Sequence, residues 1–193
     1  MSEKHYISSD ELQKDAWRLA ARILRSGFRP NAIIALWRGG APVGIAVQEF
    51  LAHYGGIRAD HIAIRTSSYH GIDQSSREIR IHGLGYLIKH LNRDDPLLIV
   101  DDVYDSGRTI EALLARLKLE CRRNTPEDIR IAVPWYKPSR NETGRAPDYF
   151  IHETDRWLKF PYSLEGLTNE EVREHRPDIH AILEAVIEKN RSA

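Results

Sequence analysis

The chain alternates between stretches in which apolar residues recur at helical spacing and short, unbroken apolar runs. The first helical stretch carries its apolar residues on one face: Leu12, Ala16, Leu19, Ala20 and Ile23. The short runs, which are typical of buried strands, are Ala32–Leu36, Ile62–Thr66, Leu97–Val100, Ile129–Val133 and Tyr149–Ile151. Further helical stretches at about 42–53, 84–91 and 109–120 lie between them. This alternation predicts an α/β fold with a mostly parallel, twisted sheet flanked by helices.

Two regions depart from this alternation. Residues Ser67–His82 are polar and aperiodic, which predicts either a long mobile loop or a hairpin. Near the other end, Thr168-Asn-Glu-Glu171 has the pattern of a capping box that opens a short helix. Pro177 then begins a final helix, whose apolar side carries Ile179, Ile182, Leu183, Val186 and Ile187.

Length and charge narrow the class of protein. The 193 residues suffice for one α/β domain with a full core. Basic and acidic residues number 28 each, so the chain has no net charge and we do not expect a general polyanion or nucleic-acid binder. Because Cys121 is the single cysteine, an intrachain disulfide is impossible, which fits a reducing, cytoplasmic location.

Several sequence signals are missing. The first residues, Met1–Tyr6, lack the apolar centre of a signal peptide, and no apolar run reaches membrane-spanning length. The nine histidines include no His-x-x-x-His pair, which argues against a zinc site. We therefore expect no membrane partner. The segment around Gly107 lacks the Gly-Lys-Ser/Thr ending of a Walker loop and the Gly-x-Gly-x-x-Gly of a dinucleotide loop.

The largest cluster of candidate binding residues follows the apolar run Leu97–Val100. Asp101 and Asp102 come directly after it, and Asp105-Ser-Gly-Arg-Thr109 precedes a helical stretch. Carboxylates at the carboxyl end of a parallel strand can bind ribose hydroxyls or hold Mg²⁺. Gly107 permits a positive φ, and the first amides of the helix favour a phosphate dianion. This predicts a loop for a phosphate and a sugar, although an ordinary turn with Asp105 as helix N-cap explains part of it.

This stretch resembles the phosphoribosyl-diphosphate (PRPP) loop of type I phosphoribosyltransferases: two acids, a hydrophobe, any residue, then Asp-Thr-Gly-x-Thr. Ser106 stands where threonine is usual, and the hydroxyl is kept. The resemblance implies that Asp101 and Asp102 hold the ribose hydroxyls, directly or through Mg²⁺, and that Asp105 is the general base or acid. The residues that it assigns to the phosphate are Ser106, Gly107, Arg108 and Thr109.

A second anion site is predicted at the end of the first apolar run. Trp37-Arg-Gly-Gly40 resembles the pyrophosphate loop of purine phosphoribosyltransferases, in which a basic residue precedes two glycines. The resemblance implies that Arg38 and Gly39 bind pyrophosphate and that the Trp37–Arg38 peptide bond is cis. Taken alone, the segment is better explained as an ordinary glycine-rich turn between a strand and a helix.

Three later segments resemble the lid and base pocket of 6-oxopurine phosphoribosyltransferases. Ser68-Tyr69 resembles the start of a catalytic lid that excludes water, although a disordered surface loop explains the composition equally well. Lys137 resembles the lysine that donates to the 6-oxo group, and Trp157 with Leu158 the pair that stacks on the base and contacts it through the backbone. Taken singly, Lys137 is as well explained as a solvated lysine and Trp157 as a core aromatic.

The resemblance spans roughly residues 30–165 and implies a purine salvage enzyme, a pentosyltransferase acting on PRPP and hypoxanthine, guanine or xanthine. We expect a single type I phosphoribosyltransferase domain over residues 1–193. Its core would span about 28–151, a small hood about 152–166 plus the N-terminal segment, and a helical tail 167–193. A homodimer or homotetramer is implied as well. The alternatives are a PRPP-sensing regulator that binds nucleic acid and a transferase for another base, and Glu165 is not assigned to the metal.

Overall fold

The computed structural model describes residues 4–70 and 77–191. The strands are β1 Lys4–Tyr6, β2 Ala32–Trp37, β3 Asp60–His70, β4 Arg77–His82, β5 Leu97–Val100, β6 Val103–Tyr104, β7 Ile129–Tyr136, β8 Tyr149–Glu153 and β9 Trp157–Lys159. The helices are α1 Ser9–Arg25, α2 Gly40–Gly55, α3 Gly85–His90, α4 Arg108–Cys121, α5 Asn169–His175 and α6 Pro177–Arg191. The elements alternate as the hydrophobic pattern predicts, and most bounds differ by only a few residues.

Contacts divide the described residues into two compact units, one of residues 10–155 and one of residues 4–9 with 156–191. The larger unit contains a seven-stranded sheet in the order β4-β3-β2-β5-β7-β6, and β8 also pairs with β7. β3 and β4 are antiparallel, and the other pairs in this sheet are parallel. The predicted α/β class with a mostly parallel sheet is therefore confirmed.

The central strands are apolar throughout because both of their faces are covered. Ile34 and Ile99 belong to a buried cluster that includes Leu113 of α4. On β2, the neighbouring residue Ala35 meets α2, where a Cβ on Gly44 would lie 2.8 Å from the Ala35 Cβ. Helices thus cover the sheet on both sides, and the carboxyl ends of β2 and β5 are free to begin loops.

The polar stretch 67–82 forms a hairpin where the structure describes it. β3 extends to His70, and the backbone of Ser68 and Tyr69 pairs with Ile79 and Glu78 of β4. This supports the hairpin interpretation over an irregular loop. The predicted loop also covers residues 71–76, which lie outside the described residues, and the role of Ser68-Tyr69 as a lid stays a prediction.

The smaller unit joins the N-terminal segment to the helical tail. β1 and β9 form a two-stranded parallel sheet in which Lys4 is opposite Trp157. Lys4 Nζ lies 2.5 Å from a carboxylate oxygen of Glu171, and the Tyr6 hydroxyl donates to the same oxygen over 2.8 Å. Sequence patterning did not predict either three-residue strand, because neither contains enough residues to show a period.

The tail helices begin where they were expected. Thr168 and Glu171 form the predicted capping box of α5, and α6 begins at Pro177. The apolar side of α6 is partly uncovered, since Ile182, Leu183 and Val186 are among the exposed large hydrophobic side chains. In the part of the chain that the structure describes, no helix is both long and apolar enough to cross a membrane.

Candidate active site

The acid pair lies where the ladder between β5 and β7 is interrupted. Val100 pairs with Ala132 and Val103 with Trp135 in the same register, while Asp101 and Asp102 between them form no strand pair. β7 has Pro134 opposite this gap, and proline has no N–H to donate to a neighbouring strand. The pairing of β7 with β8 skips Pro134 as well. The Asp101 amide still donates to the Ala132 carbonyl over 3.2 Å, so the pairing is lost at Asp102, and residues 103–104, expected in a loop, resume as β6.

The Asp101 carboxyl is held in an unusual electrostatic environment. It accepts hydrogen bonds from the backbone amides of Asp102, over 2.9 Å, and of Gly40. Burial raises the pKa of the Asp101 carboxyl well above its usual range, and the adjacent Asp102 carboxylate raises it further. A cation between the two carboxyl groups would relieve this repulsion, so the pair suits a divalent metal ion.

The turn between β2 and α2 lies directly against the end of β5. The Trp37–Arg38 peptide bond is cis, as predicted. Gly40, the first residue of α2, approaches β5 so closely that a Cβ there would lie 2.5 Å from the Val100 carbonyl oxygen. α2 begins without a side-chain cap. The structure therefore brings the turn that contains Arg38 and Gly39 next to the acid pair, where the Gly40 amide donates to Asp101 and the Ala41 amide to the Arg38 carbonyl over 3.2 Å.

Residues Asp105–Thr109, which we call the phosphate loop, lead from β6 into α4. Gly107 has a φ of +79°, a left-handed conformation that glycine adopts without strain. No side chain caps α4, so Asp105 is not the N-cap that the alternative interpretation required. The Ser106 hydroxyl lies 3.4 Å from the Arg108 amide. The Arg108 amide donates to the Ser106 hydroxyl, and the N–H groups that follow it in the first turn of α4, with the Thr109 hydroxyl, form a site suited to a phosphate.

The loop after β7 packs on the phosphate loop, a contact that sequence reasoning missed. The Tyr104 hydroxyl donates to the Arg145 carbonyl over 2.8 Å and lies 3.0 Å from the Thr143 hydroxyl. The Glu142 amide donates to the Ser106 carbonyl over 3.0 Å, and its carboxylate forms an ion pair with Arg108. Part of the charge of Arg108, which was assigned to the phosphate, is thus balanced within the protein.

Asp105 lies between two cations. Lys137, only 5% exposed, has its ammonium 3.4 Å from Asp105 Oδ2, and Arg140 Nε lies 2.8 Å from Oδ1. Oδ1 is nevertheless buried without a hydrogen bond from any described residue, because the N–H groups of Arg140 do not point at it. Arg140 was not predicted, and its only sequence signal is a basic residue shortly after Lys137-Pro138.

The two remaining base-site candidates lie in the smaller unit. Trp157 and Leu158 are consecutive residues of β9, and Trp157 is 51% exposed, so it is not the core aromatic of the alternative interpretation. The buried Lys159 has its ammonium 5.6 Å from the centre of the Trp157 ring. This ammonium also donates to the Glu165 carbonyl over 2.6 Å. The Trp157 ring therefore has a cation near it and a surface open to a flat ligand.

A parallel sheet with two uncapped helix starts and an acid pair at its edge is typical of α/β proteins that bind phosphate-bearing ligands. The family model for the phosphoribosyl transferase domain matches residues 8–166, and the chain belongs to this family. The resemblance inferred from the sequence is therefore confirmed.

Individual relatives agree with this membership. The xanthine-guanine phosphoribosyltransferase of Desulfotalea psychrophila is 32% identical over 83% of this chain and 86% of that protein. Xanthine phosphoribosyltransferase 1 of Saccharomyces cerevisiae is 26% identical over 86% of this chain and 92% of its own length. A crystal structure of a purine phosphoribosyltransferase from Pyrococcus horikoshii has a TM-score of 0.68 and 26% identity, and the match covers 86% of this chain and 98% of that one.

Proposed function

We propose that this chain transfers the 5-phosphoribosyl group of PRPP to a 6-oxopurine and releases pyrophosphate. The observation that carries this is the contact between Asp105 and the buried Lys137, whose charged atoms are 3.4 Å apart. A carboxylate can accept a proton, whereas an ammonium can only donate hydrogen bonds. A 6-oxopurine has both complementary groups on one edge, since its ring nitrogen N7 is next to the exocyclic oxygen at C6.

The phosphate loop supports a site for the 5-phosphate of PRPP. The uncapped start of α4 provides N–H groups and a favourable dipole, and Gly107 lets the backbone approach closely. Ser106 and Thr109 add hydroxyl donors. Arg108 contributes at longer range, because its guanidinium is already paired with Glu142.

We assign Mg²⁺ to the acid pair at the end of β5 and pyrophosphate to the turn between β2 and α2. Among residues 4–70 and 77–191, no group of three or more His, Cys, Asp and Glu side chains could hold a metal ion alone. Asp101 and Asp102 would therefore hold Mg²⁺ together with oxygens of PRPP and water. Bound Mg²⁺ would stabilise the negative charge that develops on pyrophosphate. Arg38 and Gly39 would receive the same leaving group at the start of α2.

The chain's own residues would then carry out the transfer. The Asp105 carboxylate, whose side chain is 36% exposed, would accept the N–H of the purine and later its proton. Lys137 would donate to the 6-oxo oxygen and reject a 6-amino group. Stacking on Trp157, with backbone contacts from Leu158, would add about 1–3 kcal/mol. The hairpin that contains Ser68 and Tyr69 would exclude water from the oxocarbenium-like centre at C1.

Membership in the phosphoribosyl transferase family also supports the expectations about domain organisation and oligomeric state. We propose that residues 1–193 form a single phosphoribosyltransferase domain, with the tail 167–193 as an addition beyond the matched residues 8–166. We also propose a homodimer or homotetramer, which light scattering would test. Location in the cytoplasm is supported by the unpaired thiol of the buried Cys121, which fits a reducing compartment.

Pyrophosphate release tests the function directly. The protein is mixed with PRPP and Mg²⁺, and hypoxanthine, guanine, xanthine or adenine is added separately. We expect release with at least one 6-oxopurine and little with adenine. Lys137→Ala should lose this discrimination, whereas Lys118→Ala, which removes an exposed lysine of α4, should keep it. Release with adenine alone would contradict the role of Lys137. No release with any base, together with salt-dependent retention of RNA or DNA, would favour a regulator.

A further inference from the structure

We infer that Arg140 is a positioning residue of this site: it balances the charge of Asp105 so that the ammonium of Lys137 is available to the base. This inference rests on the proposed function. Arg140 lies beyond the motifs through which the chain resembles its family, and three observations support a role for it.

The first observation is that the two cations beside Asp105 are not equivalent. The Lys137 side chain is 6% exposed and lies 3.4 Å from Oδ2, a distance longer than a good hydrogen bond. The Arg140 side chain is 52% exposed and lies closer, with 2.8 Å between Nε and Oδ1. Arg140 thus makes the shorter ionic contact, and Lys137 keeps donors that Asp105 does not use.

The second observation is that the backbone at Arg140 is anchored on both sides. Arg140 ends the short 3-10 turn Pro138–Arg140 directly after β7. The hydroxyl of Ser139 donates to the Asp155 carboxylate, and the side-chain amide of Asn141 donates to the Tyr136 hydroxyl over 3.0 Å. The guanidinium is therefore delivered to Asp105 by an ordered turn, which a chance surface ion pair would not require.

The third observation is that Arg140 balances the charge of Asp105 without forming a hydrogen bond to it. Because the N–H groups of Arg140 do not point at Oδ1, this atom still lacks a hydrogen-bond donor. Because Oδ1 is buried while the Asp105 side chain is 36% exposed, an N–H of the purine would reach the carboxylate at Oδ2 while the guanidinium continues to balance the charge. Without Arg140, the attraction of Asp105 would draw Lys137 away from the 6-oxo oxygen.

Steady-state kinetics of Arg140→Ala, Arg140→Lys and Arg145→Ala test this role. Arg145 belongs to the same loop, but its side chain bonds to the Ile129 carbonyl and not to Asp105, so its variant is the control for loop disorder. We expect Arg140→Ala to raise KM for the 6-oxopurine and lower kcat, each by about three- to tenfold, with the PRPP Kd unchanged within about twofold. Arg140→Lys should recover most of the loss, and millimolar guanidinium ion should partly restore kcat of Arg140→Ala.

Each outcome of these measurements is decisive. Wild-type kinetics in Arg140→Ala would overturn the inference while the proposed function stands. Equal losses in Arg140→Ala and Arg145→Ala, or an equal loss of PRPP affinity, would show that the loop's order matters and not the charge of Arg140. A wild-type chain that releases no pyrophosphate with any base would overturn the proposed function and the inference with it.

Discussion

Helices α4 and α5 begin in opposite ways. At α5, the Thr168 hydroxyl accepts from the Glu171 amide over 3.2 Å, and the Glu171 carboxylate accepts from the Thr168 amide over 2.8 Å. At α4, the N-cap residue is Gly107, which has no side chain to cap the helix, and Ser106 accepts only from the Arg108 amide, over 3.4 Å. A capped start satisfies its own amides, whereas an uncapped start keeps them for a ligand. The difference separates a helix that stabilises the tail from one that belongs to the candidate site.

Asp105→Asn should produce the largest effect. Because Asp105 does not cap α4, we expect the helix and the PRPP Kd to be preserved, while kcat falls by about 10²–10⁴ as the general base is lost. Steady-state rates and calorimetric titration with PRPP would measure the two quantities. Asp94→Asn, an exposed control, should change neither. Equal losses in kcat and PRPP affinity would indicate a structural role for Asp105.

Gly107→Ala should disturb the start of α4 without removing any functional group. The new Cβ would lie 2.6 Å from the Tyr104 hydroxyl and 2.7 Å from the Thr143 hydroxyl, at a φ of +79°. We expect a loss of about 1–3 kcal/mol in the free energy of unfolding and weaker PRPP binding. Gly27→Ala is the matched control, because Gly27 has the same φ of +79° with nothing within 4 Å of its Cβ position. It should lose stability only, and equal effects on PRPP binding would contradict the crowding at Gly107.

Thr168→Ala should show what a capped start contributes. The lost hydrogen bond is made within the tail, so we expect about 1 kcal/mol less stability for α5 and no change in the PRPP Kd. Hydrogen exchange of the α5 amides would report the change, and Thr168→Ser should retain most of the protection. Unchanged exchange in Thr168→Ala would mean that packing, and not the capping box, holds the helix.

Glu171 should make the tail sensitive to acid, the smallest of the four effects. Hydrogen bonds from Lys4, from the Thr168 amide and from Tyr6 lower the pKa of Glu171 to about 2 from the usual 4.5. Its native pKa is depressed, so the stabilisation is complete above pH 4.5 and is lost as the pH falls towards 2. Melting temperatures should therefore fall more steeply over this range for the wild type than for Glu171→Gln. The exposed control Glu49→Gln should follow the wild type, and identical slopes for all three would contradict the prediction.

Features that depend on neighbours in the chain could be predicted from the sequence. The apolar runs indicated the central strands, Thr168 and Glu171 indicated a capping box, and Asp101 to Thr109 indicated the acid pair and the phosphate loop. Each of these signals is local, because strand burial, capping and turn conformation depend on residues a few positions apart. The resemblance to a family added the cis bond after Trp37, which the structure contains.

Local sequence signals could not show which distant residues the predicted site residues contact. Nothing local distinguishes Asp105 as a cap from Asp105 as a base; the choice depends on Lys137 and Arg140, which lie some thirty residues further along the chain. The contact of Gly40 with Val100 and the strand pair β1–β9 are likewise long-range.

The sequence by itself therefore determined the order of strands and helices and which side chains come to the edge of the sheet. The tertiary structure alone decided which of these side chains meet, because contacts between distant residues depend on how the sheet is assembled. It placed Asp105 between two cations, paired β1 with β9 and brought Gly40 against Val100.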